Sequence, residues 1–384
     1  MREAVIVEAI RTPIARRNGK LKDVHPVVLG SLVLKEVVRR AGIEPGQVED
    51  VVFGCVSQVG EQSLNVGRNA WLTAGFPVTT PATTVDRQCG SSQQALHFAA
   101  NLIQSGVCDI TIAGGVESMT RVPMGSNAVQ PGTPFPPELL ELYDLVPQGI
   151  SAELMARKYG IARKAMDEFS VESHHRAHEA SEKGHFKTQI LPVDISNGQA
   201  EVFARDEGIR ANANYEATSA LLPAFNPEHS ITAGNSSQIS DGAGAVLLMS
   251  LGKAKELGVK PRARIRAMAV VGTDPVLMLE GPIPGTAAVL KRAGLQLDSI
   301  DLFEVNEAFA SVVLAWQKET GADLAKTNVN GGAIAMGHPL GASGAILMTR
   351  LLYELERRDG RYGLETMCCG GGLGTATIID RVVE

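Results

Sequence analysis

Aromatic side chains are scarce: Phe, Tyr and Trp together make up 4% of the 384 residues. A site made from such a chain is expected to bind through backbone N–H groups rather than by ring stacking. Cysteine is also sparse, five residues at irregular spacing, which excludes the disulfide framework of a small secreted protein and points to a reducing cytoplasm. No Cys-x-x-Cys pair occurs, which argues against a zinc centre or a dithiol redox site. The opening residues meet Glu3 at once and hold no apolar run of signal length, so a secretory leader is not expected. Residues 88–108 and 327–349 carry no charged side chain, yet neither reads as a membrane span. Gln88, Gln93, Gln94, His97 and Asn101 interrupt the first, and Asn328, Asn330, His338 and Pro339 the second. No excess of positive charge exists: the formal net charge is −6, which argues against a nucleic-acid partner. No glycine-rich nucleotide fingerprint stands in a convincing context.

What is present is core material, 44% hydrophobic residues with 20% charged, and at roughly 150 residues per domain two or three domains are expected. Short β-branched runs alternate with helical patterns: a strand at 5–7, a helix over 27–41, a strand at 51–53. The grammar returns late, with strands at 270–271, 302–303 and 328–329 and helices over 287–293 and 307–320. This alternation predicts βαβ units and a largely parallel, buried sheet. Between the halves, 117–237 is rich in Pro, Asn and polar residues, with modest helices at 152–158 and 166–183, and reads as an excursion set into an α/β core.

A faint internal repeat accompanies this. Asp86-Arg87-Gln88-Cys89-Gly90-Ser91-Ser92 opens an Ala-rich helix, after which a strand over 109–113 runs into Gly114-Gly115. Gly337-His338-Pro339-Leu340-Gly341-Ala342-Ser343-Gly344 opens another, after which a strand runs into Gly370-Gly371-Gly372. Any two α/β units look somewhat alike, so the pattern alone leaves open whether the halves are duplicated.

Cys89 precedes a helix whose first residues are small enough for close backbone approach. Free N–H groups and the helix dipole there lower a thiol pKa and favour the thiolate, although a cysteine taken at random is more often a buried structural thiol. His338 lies in a glycine-loaded turn, held just outside a helix by Pro339 at its first turn. Of Cys368 and Cys369 only one can face a crevice, because consecutive strand residues point to opposite sides, and the glycines after them can offer N–H groups to an oxyanion. Asn306 follows a strand and precedes a helix, where simple capping is the competing reading. His174, His175 and His178 read as a solvated face rather than a metal site. The basic run Arg11, Arg16, Arg17, Lys20, Lys22 reads as keeping a loop soluble rather than touching phosphate.

Together, Gln88-Cys89-Gly90-Ser91-Ser92, Val305-Asn306-Glu307-Ala308-Phe309-Ala310, the stretch from Gly331 to Gly344 and Cys368-Cys369-Gly370-Gly371-Gly372-Leu373-Gly374 resemble the thiolase family. Arg11-Thr12-Pro13 and the segment from Thr232 to Ala243 extend the match over essentially the whole chain. The resemblance implies duplicated βαβαβαββ halves in a five-layered αβαβα core. Residues 1–117 and 238–260 would form the N-terminal half, 118–237 an inserted loop domain that binds CoA, and 261–384 the C-terminal half. It implies a homodimer or homotetramer with no metal and no cofactor, coenzyme A being a substrate, and other β-oxidation enzymes as partners.

The resemblance also assigns roles. Cys89 attacks the 3-keto carbon of a 3-oxoacyl-CoA, and His338 takes its proton and later helps activate the incoming CoA thiol. His338 and a water held by Asn306 stabilise the enolate oxygen, the acid/base cysteine is Cys368 by register, and the N–H groups of Cys89 and Gly370 form a second oxyanion hole. Arg210 matches a position packed on adenine, while Phe225, Ala233, Ser237, Met278 and Ala308 match the pantetheine tunnel. Two departures stand out: Pro147-Gln148-Gly149 replaces the His-Met-Gly of biosynthetic members, and Ala217 replaces a serine facing the adenosine. Both, with Gln93-Gln94 and Arg16-Arg17-Asn18-Gly19, resemble degradative members and imply a widened acyl pocket. A biosynthetic acetoacetyl-CoA thiolase and a non-catalytic acyl-CoA-binding protein are the competing readings.

Overall fold

The computed structural model describes residues 2–129, 132–196 and 200–381; Pro131, in the proline-rich stretch, lies outside them. Along the chain run β1 (Ala4–Arg11), β2 (Ala15–Arg16), α1 (Pro26–Ala41), β3 (Asp50–Gly54), α2 (Val66–Thr73), β4 (Ala82–Val85), α3 (Ser91–Gln104) and β5 (Ile110–Ser118). The excursion follows with α4 (Pro137–Leu142), α5 (Gln148–Lys158), α6 (Arg163–Glu182), the small hairpin of β6 (Val193–Asp194) and β7 (Val202–Phe203), and α7 (Tyr215–Ser219). Then come β8 (Ser240–Ser250), α8 (Leu251–Leu257), β9 (Ala263–Gly272), α9 (Pro282–Ala293), β10 (Leu302–Val305), α10 (Ala310–Thr320), α11 (Ala333–Met336), α12 (Ser343–Arg357), β11 (Tyr362–Cys369) and β12 (Leu373–Asp380).

The sheet order β10-β11-β12-β9-β1-β8-β5-β3-β4 contains one motif twice. In the first half β1 and β5 flank β8 antiparallel, and β5, β3 and β4 are parallel. In the second, β9 and β11 flank β12 antiparallel, β11 and β10 are parallel, and a parallel bridge from Phe303 to Thr327 marks the fifth position. The repeat seen in sequence is therefore a duplicated topology. A short pairing of Val5 and Ile6 with Arg264 and Ala263 joins the halves.

Strand side chains alternate between two faces, and both faces are buried here, which is why β1 is apolar on both faces from Ala4 to Val7 and β8 from Ala243 to Met249. Val5, Val7 and Ile10 face α1 and α2, packing on Leu29, Val33, Val37 and Trp71. Ile6, Val246 and Leu248 face a central layer in which α3 (Leu96, Ala99, Ile103) meets α12 (Met348, Leu351, Leu355). Beyond the second half, α9 and α10 cover Phe303, Val305, Leu364 and Ile378 with Val289, Val313 and Trp316. Five layers result, helices enclosing sheet on both sides and filling the middle. Both helices that follow the candidate catalytic loops thus lie at the centre.

Three local expectations need correction. The helix over 307–320 begins only at Ala310, because Asn306 to Phe309 is held extended by the Ser236–Phe309 bridge and by the Ser237 N–H donating to the Ala308 carbonyl. Gly114 and Gly115 are not a turn but lie inside β5; a Cβ on Gly115 would fall 2.1 Å from the Gly341 carbonyl oxygen. The basic run does not simply solvate a loop: Arg11 is fully buried, its guanidinium forked on Asp206 at 2.7 and 2.9 Å, with Nε donating to Gln189 at 2.8 Å. That clamp ties β1 to the excursion.

Candidate active site

Cys89 sits in the turn that ends on α3, whose cap position is Gly90. The N–H dipoles of Gly370 and of Cys89 itself favour the thiolate, yet burial outweighs them and pushes the thiol up to about 12. The expectation of a resting thiolate at the helix start is corrected on that ground: donor dipoles are present, but removal from water costs the anion more than they return. Negative charge on Glu117 and Asp86 acts in the same direction.

His338 lies between α11 and the single turn Leu340–Ala342 that leads into α12. Its backbone is tied to the start of β8 by N–H donation to the Gln238 carbonyl (3.1 Å) and Ser240 Oγ (3.2 Å). The ring is oriented by Ser343. That hydroxyl donates to the Pro339 carbonyl at 3.0 Å, so it meets His338 Nδ1, 2.5 Å away, as an acceptor. Nδ1 therefore carries the proton and Nε2 the free pair. Burial lowers the imidazole pKa to about 4, leaving it neutral and able to take a proton at pH 7.

Asn306 is not a helix cap; its Nδ2 reaches His338 Nε2 at 3.3 Å while Oδ1, buried, meets no protein partner. An unmatched buried carbonyl of this kind suits an ordered water or a ligand donor. The two catalytic loops abut across Gly54, where a Cβ would lie 2.4 Å from Ser92 N and 2.7 Å from Gly341 O. The first turns of the central helices are joined by donation from Ala345 N to Ser92 Oγ at 2.9 Å.

The paired cysteines divide as alternation requires. Cys368 packs with Met278, Ala308, Phe309 and Ile334, the apolar wall beneath the excursion. Cys369 lies on the other face with Cys89, Met367 and Leu347, and a Cβ on Gly90 would stand 2.8 Å from its sulfur. Both thiols are buried and their pKa values are raised by desolvation, Cys368 well above its ordinary value.

Arg210 lies at a surface cleft of about 540 Å³ shared with Ser170, His174, Ala217 and Gly234. Ala233 adjoins that cleft in sequence, and Ser237 leads inward to Ala308. Ala308 and Met278 stand in the wall with Cys368. Phe225 packs edge-on to Phe309 at 6.5 Å and fills the space where a Cβ on Gly149 would stand. Of the sequence-predicted residues, Arg210 thus lines the surface cleft, while Met278 and Ala308 stand in the wall with Cys368. His174 corrects the solvated-face reading: it is buried, and its Nδ1 accepts from Arg210 N at 3.1 Å. Among the described residues no group of His, Cys, Asp or Glu could hold a metal ion.

Sequence reasoning missed Ser343, Glu117 and Glu307. Glu307 is buried, taking Ser173 Oγ at 2.7 Å and Ile334 N at 3.1 Å on Oε2, and Asn328 Nδ2 at 3.0 Å on Oε1. Ser343 follows His338 by five residues, inside the same motif, and Glu117 stands one residue before the end of β5, two residues after Gly115.

Residues 4–252 match the family description "Thiolase, N-terminal domain" and residues 259–381 "Thiolase, C-terminal domain". The chain is 46% identical to the steroid 3-ketoacyl-CoA thiolase FadA6 of Mycobacterium tuberculosis, over 100% of this chain and 95% of that protein. It is 43% identical to the 3-ketoacyl-CoA thiolase of Bacillus subtilis, over 99% and 100%. Among solved structures, the Bacillus anthracis acetyl-CoA acetyltransferase superposes with a TM-score of 0.93 at 39% identity, covering 100% of this chain and 99% of that one. Human mitochondrial 3-ketoacyl-CoA thiolase does so with a TM-score of 0.92 at 35% identity and the same coverage. With both family halves matched in order and the duplicated fold in place, the chain belongs to the thiolase family.

Proposed function

We propose that the protein is a degradative thiolase, cleaving 3-oxoacyl-CoA with CoA to acetyl-CoA and a shortened acyl-CoA. The observation that carries this is the neutral His338, its Nε2 pair freed by Ser343, on a loop that abuts the Cys89 turn across Gly54. A neutral thiol and a neutral imidazole react by transferring the proton as the sulfur attacks. Cys89 sulfur bonds to C3, its proton goes to His338 Nε2, and the C2–C3 bond breaks with its electron pair held as the enolate of acetyl-CoA. His338 and a water on Asn306 bind that enolate oxygen, and the Cys368 thiol protonates C2. The Cys368 thiolate, with the His338 imidazolium nearby, then takes the proton of incoming CoA. The CoA sulfur attacks the acyl-enzyme, whose oxyanion rests on the N–H groups of Cys89 and Gly370, and the departing Cys89 sulfur recovers its proton from His338.

A track from Arg210 through Ala233, Ser237 and Ala308 to Met278, with Phe225 alongside, would seat CoA. The division into residues 1–117 with 238–260, 118–237 and 261–384 is supported by the twofold sheet pattern. Dimer or tetramer formation is supported by the edge position of β4, whose residues are half-exposed or exposed, and light scattering tests it. Five free thiols suit a reducing cytoplasm.

Mass spectrometry after mixing with a 3-oxoacyl-CoA is expected to find the acyl group on Cys89; wild type without adduct would favour a binding protein. A Cys89→Ala variant that kept full thiolysis would refute the nucleophile. The acetyl-CoA acetyltransferase neighbour favours a second reading, biosynthetic acetoacetyl-CoA thiolase. A panel of short, long, branched and sterol-derived substrates separates the two, since activity confined to acetoacetyl-CoA would sink the first.

A further inference from the structure

The duplication allows positions in the two halves to be compared directly. Gly54 pairs with Gly115 as Val305 pairs with Thr366, and Glu117 stands opposite Gly242 as Cys368 stands opposite Gly374. Glu117 therefore occupies in the first half the place that Cys368 occupies in the second.

Its side chain is fully buried. Oε2 accepts the N–H groups of Val56 at 2.9 Å and Gly341 at 2.8 Å; Oε1 accepts Ser57 N at 3.0 Å and Gln62 Nε2 at 2.8 Å, with the Cys55 thiol 3.9 Å away. Four N–H donors converge on two oxygens and fill the acceptor capacity of the group, while burial outweighs them and raises its pKa. Gly341 lies three residues after His338, so one end of the histidine loop hangs on Glu117 while the other hangs on Glu307 through Ile334. The seat is close: a Cβ at Gly341 would stand 2.7 Å from Glu117 Oε2. The same loop touches the N-terminal turn of α3 across Gly54, so its height decides where the imidazole meets the nucleophile.

We propose that Glu117 is a positioning residue of acyl transfer: its two oxygens, each taking two N–H donors, seat the His338 loop of the other half against the Cys89 turn. The inference rests on the reading of Cys89 as nucleophile and His338 as its base.

Glu117→Gln and Glu117→Asp test the seat in two ways. Glu117→Gln keeps the length and turns an N–H₂ toward backbone donors. Turnover is expected to fall roughly 10²-fold, the scale of a small misplacement of catalytic groups, with KM little changed. Glu117→Asp withdraws the oxygens by one methylene, so turnover falls with KM again little changed. Glu117→Gln with wild-type turnover, or with a loss carried by KM alone, would overturn the inference. If Glu117→Gln does not fold, Glu117→Asp carries the test, and wild-type turnover there overturns it equally. Wild type that forms no Cys89 adduct would instead overturn the underlying reading.

Discussion

The two halves use one scaffold for opposite purposes, and the contrast is sharpest at the ends of β5 and β11. Glu117, one residue before the end of its strand, has its oxygens saturated by N–H donors. Cys368, one residue before the end of the other, packs against an apolar wall. A group whose hydrogen-bonding capacity is full holds structure in place, whereas a thiol against apolar side chains keeps its capacity unspent. Three residues back along the same strands the contrast reverses. Phe53 faces Gly114 in the first half, an apolar contact, whereas Glu304 and Glu365 stand side by side in the second. Duplication preserved the register, and the filling of each position was decided separately.

Exchanging the occupants tests that contrast, and the largest effect is expected at the sulfur. Cys368→Ala should lower turnover by roughly 10²–10⁴-fold, the usual share of a general acid–base, while Cys369→Ala, on the opposite face, should leave turnover near wild type and cost about 1 kcal/mol of stability. Steady-state rates of the two variants decide between them; the reverse ranking would assign the acid to Cys369. Next in size is the clamp of the first half on the excursion. Arg11→Met leaves Asp206 as a buried, unpaired charge, so urea unfolding should show a loss of about 3–5 kcal/mol.

The acid pair of the second half gives a smaller, pH-dependent effect. Burial raises Glu304 from 4.5 to about 7 despite Arg350 at 3.3 Å, and raises Glu365, whose two oxygens have no partner, well above its ordinary value. A carboxyl with a raised pKa binds its proton more tightly folded than unfolded. Its contribution is therefore complete below pH 4.5 and is lost as the pH rises through 7 and beyond. Glu365→Gln should remove part of this alkaline loss, adding about 2 kcal/mol at pH 9 and little at pH 5; equal effects at both pH values would show that Glu365 is not the titrating group. Smallest is Ser343→Ala, which frees the His338 tautomer. Turnover should drop on the order of tenfold, the scale seen when the partner orienting a working histidine is removed, with KM unchanged, and unchanged turnover would place the ring's orientation elsewhere.

Much of this was legible in the chain because it is local. Short β-branched runs announced β1 and β3, helical spacing announced α1, and the glycine-loaded turns around His338 and Cys368 announced backbone cleared for a ligand. What misled was also local reading of long-range facts. Gly114-Gly115 resembles a turn until Gly341 is seen pressing on it, and Asn306 resembles a cap until His338 arrives beside it. His174 and Arg11 resemble surface residues until the excursion folds over them.

By itself the sequence determined the periodicities that make the elements, the order of the four motifs and the opposite faces of Cys368 and Cys369, since each depends on neighbours within a few residues. Tertiary structure alone decided the duplication of the sheet, the protonation of Cys89 and His338, which of the paired cysteines meets the wall beneath the excursion, and the bridge from Glu117 to Gly341. These depend on desolvation and on hydrogen bonds between residues more than two hundred positions apart, such as Glu117 and Gly341, and no local pattern encodes the distance at which such groups meet.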